Sequence, residues 1–228
     1  MPEFLVFLST GMLIQPNDMA LIQAMQQLTP VRVTDHLAAL LPLCAKFNID
    51  LSEEDFKKQF AEILSIDAEN MEEFDSAWNA HIDLNSPTLK QNLEALTAYK
   101  IDHPDTSFVF YSNTNPIHLK YIQQNLTECL NKLSVDANSG ISTTFSAQQK
   151  PVDLLDSLFK KLPPDASATI LLPDHSSVKL EKRRVQLNEQ NAAIAVVADK
   201  YNVRAIELEG KLAEVNLDRL LNSNKPKP

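Results

Sequence analysis

The chain has 228 residues, 44% of them hydrophobic and 7% aromatic, with a formal net charge of −9. That length fits one large domain or a core with a smaller insert, and it can bury a sizeable core without disulfide staples. The acidic balance argues against broad nucleic-acid or acidic-membrane binding, which needs a basic surface. No apolar run approaches the ~18–20 residues of a membrane span. No basic stretch precedes the first apolar run, so no signal peptide is expected. A cytoplasmic address follows by default, with export by a non-classical signal left open. Cys44 and Cys129 lie in amphipathic helical patterns without a neighbouring Cys or His at ligand spacing, and read as free buried thiols. Only three glycines occur, which disfavours a Gly-rich phosphate loop. Any phosphate would have to be held by side chains and helix N-termini.

Taken in chain order, the apolar run 4–14 reads as a buried strand feeding a loop. A long helical block follows over 17–98. Asn17 caps a helix to Leu28, and Pro30 suits the first position of a second one reaching Phe47. Ser52 with three acids behind it opens a third, with Phe56, Phe60, Ile63 and Leu64 on one face. Asp67 opens a fourth carrying Met71, Phe74, Trp78 and Ile82, and Ser86-Pro87 a fifth with Leu89, Leu93 and Leu96 inward. From Thr106 the period changes to a short strand at 107–111, followed by a helix from Pro116 to Leu126. An amphipathic helix is predicted at 151–162, an apolar strand at 168–172, a helix at 192–201 and a strand at 203–208. The tail 222–228 is polar and rich in Pro and Lys. Strands alternating with helices imply a parallel sheet covered on both faces, with the site at the strands' C-terminal ends.

Several strand ends carry groups with chemical potential. Leu8, Ser9 and Thr10 close the first strand. Leu8 can neither attack a substrate nor bind a cation, and Thr10 is a poor proton shuttle near neutral pH. Ser9 has a hydroxyl but no obvious base beside it, and its plain reading is a bond to backbone. Ser112, Asn113, Thr114 and Asn115 sit where a strand meets a helix N-terminus, a place that offers unpaired donors to an anion. Asn115 or Thr114 also caps the helix that follows. Lys150 precedes Pro151 at another helix start, where the plain alternative is a solvated lysine. Asp174 follows Pro173 at the end of the strand over 168–172 and is followed by His175. A single carboxylate is a weak Mg²⁺ site, since Mg²⁺ takes near-octahedral oxygen ligation. Helix capping is the simpler role for it. Lys179, Lys182, Arg183 and Arg184 form a basic cluster on an acidic chain, suited to a phosphate-bearing or acidic partner or merely a solvated face. The histidines are scattered, with no metal-ligand spacing. Trp78 and Phe74 read as core.

These strand-end segments, in this order and with a helical block after the first, resemble the haloacid dehalogenase (HAD) superfamily with a helical cap inserted after strand one. The resemblance covers nearly the whole chain and rests on the ordered set, since each motif alone is weak. It implies an α/β fold with a HAD-like Rossmannoid parallel sheet, helices on both faces and an inserted all-helical cap. The implied core is 1–15 with 99–228, and the implied cap is 16–98. In the family, the first strand ends in an Asp nucleophile with a second Asp, the acid/base, two residues on. The matching positions here are Leu8 and Thr10. Ser112 and Asn113 match the motif that holds the phosphoryl group. Lys150 matches the lysine that offsets its charge, though Ala147 stands where the family usually has Gly. Asp174 matches the acidic motif that binds Mg²⁺, where a pair of acids is usual. The segment 176–190 is extra relative to the family.

The resemblance therefore implies a HAD-like protein without phosphoryl-transfer chemistry, one that binds a small phosphorylated or acidic ligand or a protein partner. No cofactor, nucleic-acid binding or membrane insertion is expected. The alternatives are a divergent hydrolase using Mg²⁺, with Asp174, His175, Ser9 or Thr10 in new roles, and an interaction module working through the cap or the basic segment.

Overall fold

The computed structural model describes residues 4–14, 16–132, 141–163, 165–174, 181–210 and 212–222. Strand β1 (Phe4–Ser9) leads through a short turn of helix α1 (Thr10–Leu13) into the helical insert. The insert holds α2 (Asp18–Gln26), a 3₁₀ turn (Val33–His36), α3 (Leu37–Phe47), α4 (Glu53–Leu64), a 3₁₀ segment (Ala68–Glu73) and α5 (Phe74–Asn79). Then come α6 (Pro87–Asp102), β2 (Thr106–Thr114), α7 (Pro116–Lys132), β3 (Ile141–Ala147), α8 (Pro151–Phe159), β4 (Ser167–Pro173), α9 (Glu181–Lys200), β5 (Arg204–Leu208) and α10 (Leu217–Asn222). The five strands form one sheet in the order β3-β2-β1-β4-β5, every neighbouring pair parallel.

Both faces of the sheet are covered, as parallel sheets require. Val6, Leu8, Phe108, Phe110 and Leu171 pack against Leu89, Leu93 and Leu96 of α6, Ile122 and Leu126 of α7, and Leu217 and Leu221 of α10. The alternate residues Leu5, Phe7, Val109, Tyr111, Ile170 and Leu172 pack against Leu154, Leu155 and Phe159 of α8 and Ile194 and Ala198 of α9. The insert has its own aromatic cluster of Phe47, Phe56, Phe60, Phe74 and Trp78, which Ile117 of α7 joins. Phe47 and Phe56 are stacked at 3.9 Å between ring centroids.

Several expected boundaries move. The helix expected from Pro30 begins as the 3₁₀ turn at Val33, and the one expected from Asp67 begins as 3₁₀ and stops at Asn79. The strand Ile141–Ala147 was absent from the sequence reading. It is an edge strand of sequence Ile-Ser-Thr-Thr-Phe-Ser-Ala, without the apolar run that marks the inner strands. Helix α9 starts at Glu181, eleven residues before the expected 192, so residues 181–190 of the extra segment are its first turns. The expected insert boundary at 98 falls inside α6, whose Leu89, Leu93, Leu96 and Tyr99 pack with the sheet. Entry and exit of the insert meet earlier, at an antiparallel bridge between Pro16 and Ile82 and a 2.9 Å bond from Asn17 N to His81 O.

A buried polar network joins insert and sheet. Asn115 (3% exposed) accepts from the His118 backbone N–H at 3.0 Å and from Trp78 Nε1 at 3.4 Å, so it caps α7 as expected and also reaches α5. Its Nδ2 lies 3.0 Å from His118 Nδ1, while His118 Nε2 lies 3.3 Å from the Trp78 carbonyl. A carbonyl only accepts, so Nε2 carries the proton and Nδ1 accepts from Asn115. Outside this network, Gln148, held at φ +58°, donates to the carbonyls of Phe47 at 3.0 Å and Leu51 at 2.6 Å. On the surface, Lys120 of α7 pairs with Glu53 of α4 at 2.7 Å.

Burial pushes the His118 imidazole down to about 4 against the opposing bond to Trp78, with stacked His81 lowering it further. Above an unfolded value near 6.5 neither state is protonated and the effect is nil. As pH falls from there to about 4, only the unfolded chain takes the proton, so native stability drops by about 3 kcal/mol. Denaturant unfolding at pH 7 and pH 4 measures this. His118→Phe is expected to be less stable at pH 7 but to lose about 3 kcal/mol less than the native chain on acidification.

Candidate functional site

Pairing register fixes where the strand-end residues stand. Thr143, Phe110, Leu8, Leu171 and Ile206 form one row across the sheet, and Ser9 pairs with Tyr111 one residue further on. Leu8 is fully buried, inside the apolar cluster beneath α6. Ser9 is half-buried and, by strand alternation, belongs to the opposite face. Thr10 opens the α1 turn. Ser112 is 8% exposed, still within β2, paired with Phe145 and directly before Asn113. Lys150 is exposed at the N-cap of α8 and makes no side-chain cap bond there. Asp174 is half-buried just beyond β4.

The strand order divides these groups. Ser112 and Lys150 lie on the β2–β3 side of β1, and Asp174 lies on the β4–β5 side. On that second side a cavity of about 450 Å³ opens at the strand ends. It is lined by Gly11 and Met12 of α1, Thr88 and Asn92 of α6, Pro173 at the end of β4 with Asp174 after it, and Leu208 at the end of β5 with Gly210, Leu212 and Glu214 after it. Among the described residues, the charged ones lining it are the acids Asp174 and Glu214. Ser112 and Lys150 do not line it.

Asn92 and Glu214 escaped the sequence reading. Asn92 (1% exposed) donates to the carbonyls of Met12 at 3.1 Å and Leu13 at 3.2 Å, and accepts from the Ala213 N–H at 3.1 Å. It thereby ties the β1 turn to the segment after β5. The one hint was a polar side chain on the otherwise apolar face of α6. Asn191 of α9 does the same for β4, donating to the Pro173 carbonyl at 2.9 Å. Nothing in the sequence pairs Glu214 with Asp174.

The basic cluster is only partly placed. Arg184 is exposed on the first turn of α9, which also carries Lys182 and Arg183. His175 and Lys179 lie outside the described residues, as do the side chains of Thr10, Asn113, Lys182 and Arg183. Cys44 is a free thiol in α3, pushed up to about 11 by burial, which leaves it a poor nucleophile.

No protein-family model matches the chain, and no curated protein matches it significantly. Solved structures do. A HAD family enzyme of Bacteroides thetaiotaomicron, as its magnesium complex, aligns over 97% of this chain and 99% of its own, with 13% identity and a TM-score of 0.58. An aspartate-to-alanine variant of that enzyme with magnesium and inorganic phosphate aligns over 96% and 99%, with 14% identity and a TM-score of 0.55. A predicted HAD-like family hydrolase of Porphyromonas gingivalis aligns over 98% and 97%, with 15% identity and a TM-score of 0.54. This chain has the HAD-like fold. Among the described residues, no helix is long and apolar enough to cross a membrane.

Magnesium, present in the two Bacteroides structures, can be tested against the donors here. The Leu8 side chain offers no oxygen, and among the described residues no three His, Cys, Asp or Glu side chains come together. Mg²⁺ takes hard oxygen ligands in a near-octahedral set, often one or two carboxylates completed by phosphate and water. Asp174 and Glu214 are the described carboxylates that line the strand-end cavity.

The burial of Leu8 has a measurable consequence. Leu8→Ala is expected to cost about 3 kcal/mol through the cavity it leaves. Leu8→Asp is expected to cost more at pH 7, because an unpaired buried carboxylate adds its desolvation, and the excess over Ala should shrink as pH falls towards 5. Urea unfolding of both variants checks this. Equal losses at pH 7 would put residue 8 in a polar setting.

Proposed function

We propose that this chain is a HAD-fold binding protein that has lost phosphoryl-transfer chemistry. The observation that carries this reading is Leu8: at the position matching the nucleophile stands a side chain with no exposure, packed among Val6, Phe110 and Leu171. A carboxylate that attacks phosphorus needs an open approach and charged surroundings. An apolar cluster supplies neither. Removing one member of a catalytic unit commonly costs orders of magnitude in rate, and the rest then contribute little on their own. Fold likeness to hydrolases does not restore the activity.

For the ligand, Ser112 at the end of β2 and Lys150 at the start of α8, just after β3, support a phosphorylated or acidic small molecule on the β2–β3 side. The helical insert, tied down by Trp78–Asn115 and Gln148, is read as a cap over these strand ends. The competing reading is a divergent hydrolase, and what favours it is the position of Asp174 on a cavity of about 450 Å³ at the strand ends.

A panel of phosphomonoesters with Mg²⁺ separates the two. The binding reading expects no turnover above the protein-free rate, together with protection by inorganic phosphate in a thermal melt that weakens in Lys150→Ala. Magnesium-dependent turnover that Asp174→Ala abolishes would establish the hydrolase instead.

A further inference from the structure

We propose that the helical insert holds a second binding site, for a compact apolar or aromatic molecule that is neutral or carries one ammonium group. The site is a pocket of about 230 Å³, open to solvent on one side and bounded by α2, the 3₁₀ turn at Val33, α3, α4 and α5. Its walls include Ile22, Met25, Leu40, Cys44, Phe60 and Trp78, and every residue lining it belongs to the insert. The inference is independent of the reading of the strand-end site.

Size and lining fix the class of ligand. The pocket opens beside the five-residue aromatic cluster, and Phe60 and Trp78 of that cluster form part of its wall. An apolar cavity of ~150 Å³ already accepts benzene and stays dry without it. The present one therefore suits a substituted benzene or a short branched alkyl chain, and it falls below the ~300–1,000 Å³ of sites for larger ligands. Charge restricts the choice further. Asp18 is the one charged residue lining the cavity among those described, at a mouth where Leu41 stands 60% exposed. Its carboxylate keeps most of its surface in water and meets His81 Nε2 at 3.0 Å. An acid entering there meets a like charge, whereas an ammonium group gains a partner.

The cavity also shares a wall with the strand-end region. Trp78 faces it and donates its indole N–H to Asn115 at 3.4 Å, and Asn115 caps α7 directly after β2. A ligand pressing on Trp78 acts one side chain away from Ser112–Asn115.

Trp78 is the chain's single tryptophan, so its emission reports occupancy directly. The native chain would be titrated with benzylamine, benzyl alcohol and benzoate, reading emission and melting temperature. Benzylamine is expected to shift both saturably, benzyl alcohol to bind more weakly and benzoate not to bind. Asp18→Asn, an exposed change that leaves the fold intact, should weaken benzylamine about fivefold, to the level of the alcohol. Ile22→Phe, which fills the cavity, should abolish both while the melting transition stays cooperative. The proposal is overturned if neither benzylamine nor benzyl alcohol shifts the native emission, or if benzoate binds as well as benzylamine. It is equally overturned if emission changes with protein concentration alone, because a second copy then occupies the cavity.

Discussion

The fold depends on burying β1 on both faces. A central parallel strand has no solvated side, so every residue from Leu5 to Leu8 must be apolar or paired, and here each is apolar. Leu8 joins Phe110 and Leu171 in one row across the sheet, and α6 closes over that row with Leu89, Leu93 and Leu96. The stability of the centre and the absence of a carboxylate at residue 8 are thus one fact. A carboxylate at residue 8 would face the same leucines unless the strand ends opened to water.

A different kind of force holds the insert. Its interior is an aromatic cluster, but its attachment to the sheet is mostly polar and directional. Trp78, Asn115, His118 and Asn48 form one chain of donors and acceptors, and Gln148 ties the end of β3 to the carbonyls that close α3. Ile117 is the apolar contribution from the core side. Directional bonds fix one orientation where apolar contact alone would allow sliding. The neutral His118 sits in the middle of this attachment.

Much of this architecture can be read from the residues. The apolar runs gave β1, β4 and the inner part of β2, and the caps at Asn17, Ser52 and Ser86 are made as their sequence suggests, each side chain accepting a backbone N–H. Strand Ile141–Ala147 was hidden because an edge strand pairs on one side only and tolerates Ser and Thr along its length. The early start of α9 was hidden because Glu-Lys-Arg-Arg shows no apolar stripe. At the site, the missing carboxylate at Leu8 was legible at once, and so were the positions of Ser112, Lys150 and Asp174 along the chain. Their separation to either side of β1 was not, since it follows from strand order. That Asp174 and Glu214 line one cavity was equally invisible, because the segment after β5 reaches it only in three dimensions.

The fold is HAD-like, and its strand ends are proposed to bind without transferring a phosphoryl group. The most direct test is covalent. The native chain would be incubated with acetyl phosphate and Mg²⁺, quenched in acid and weighed intact. An unchanged mass is expected, because no described side chain at the end of β1 can hold a phosphoryl group as an acyl phosphate. An added phosphoryl group mapped to residues 4–14 would contradict the account.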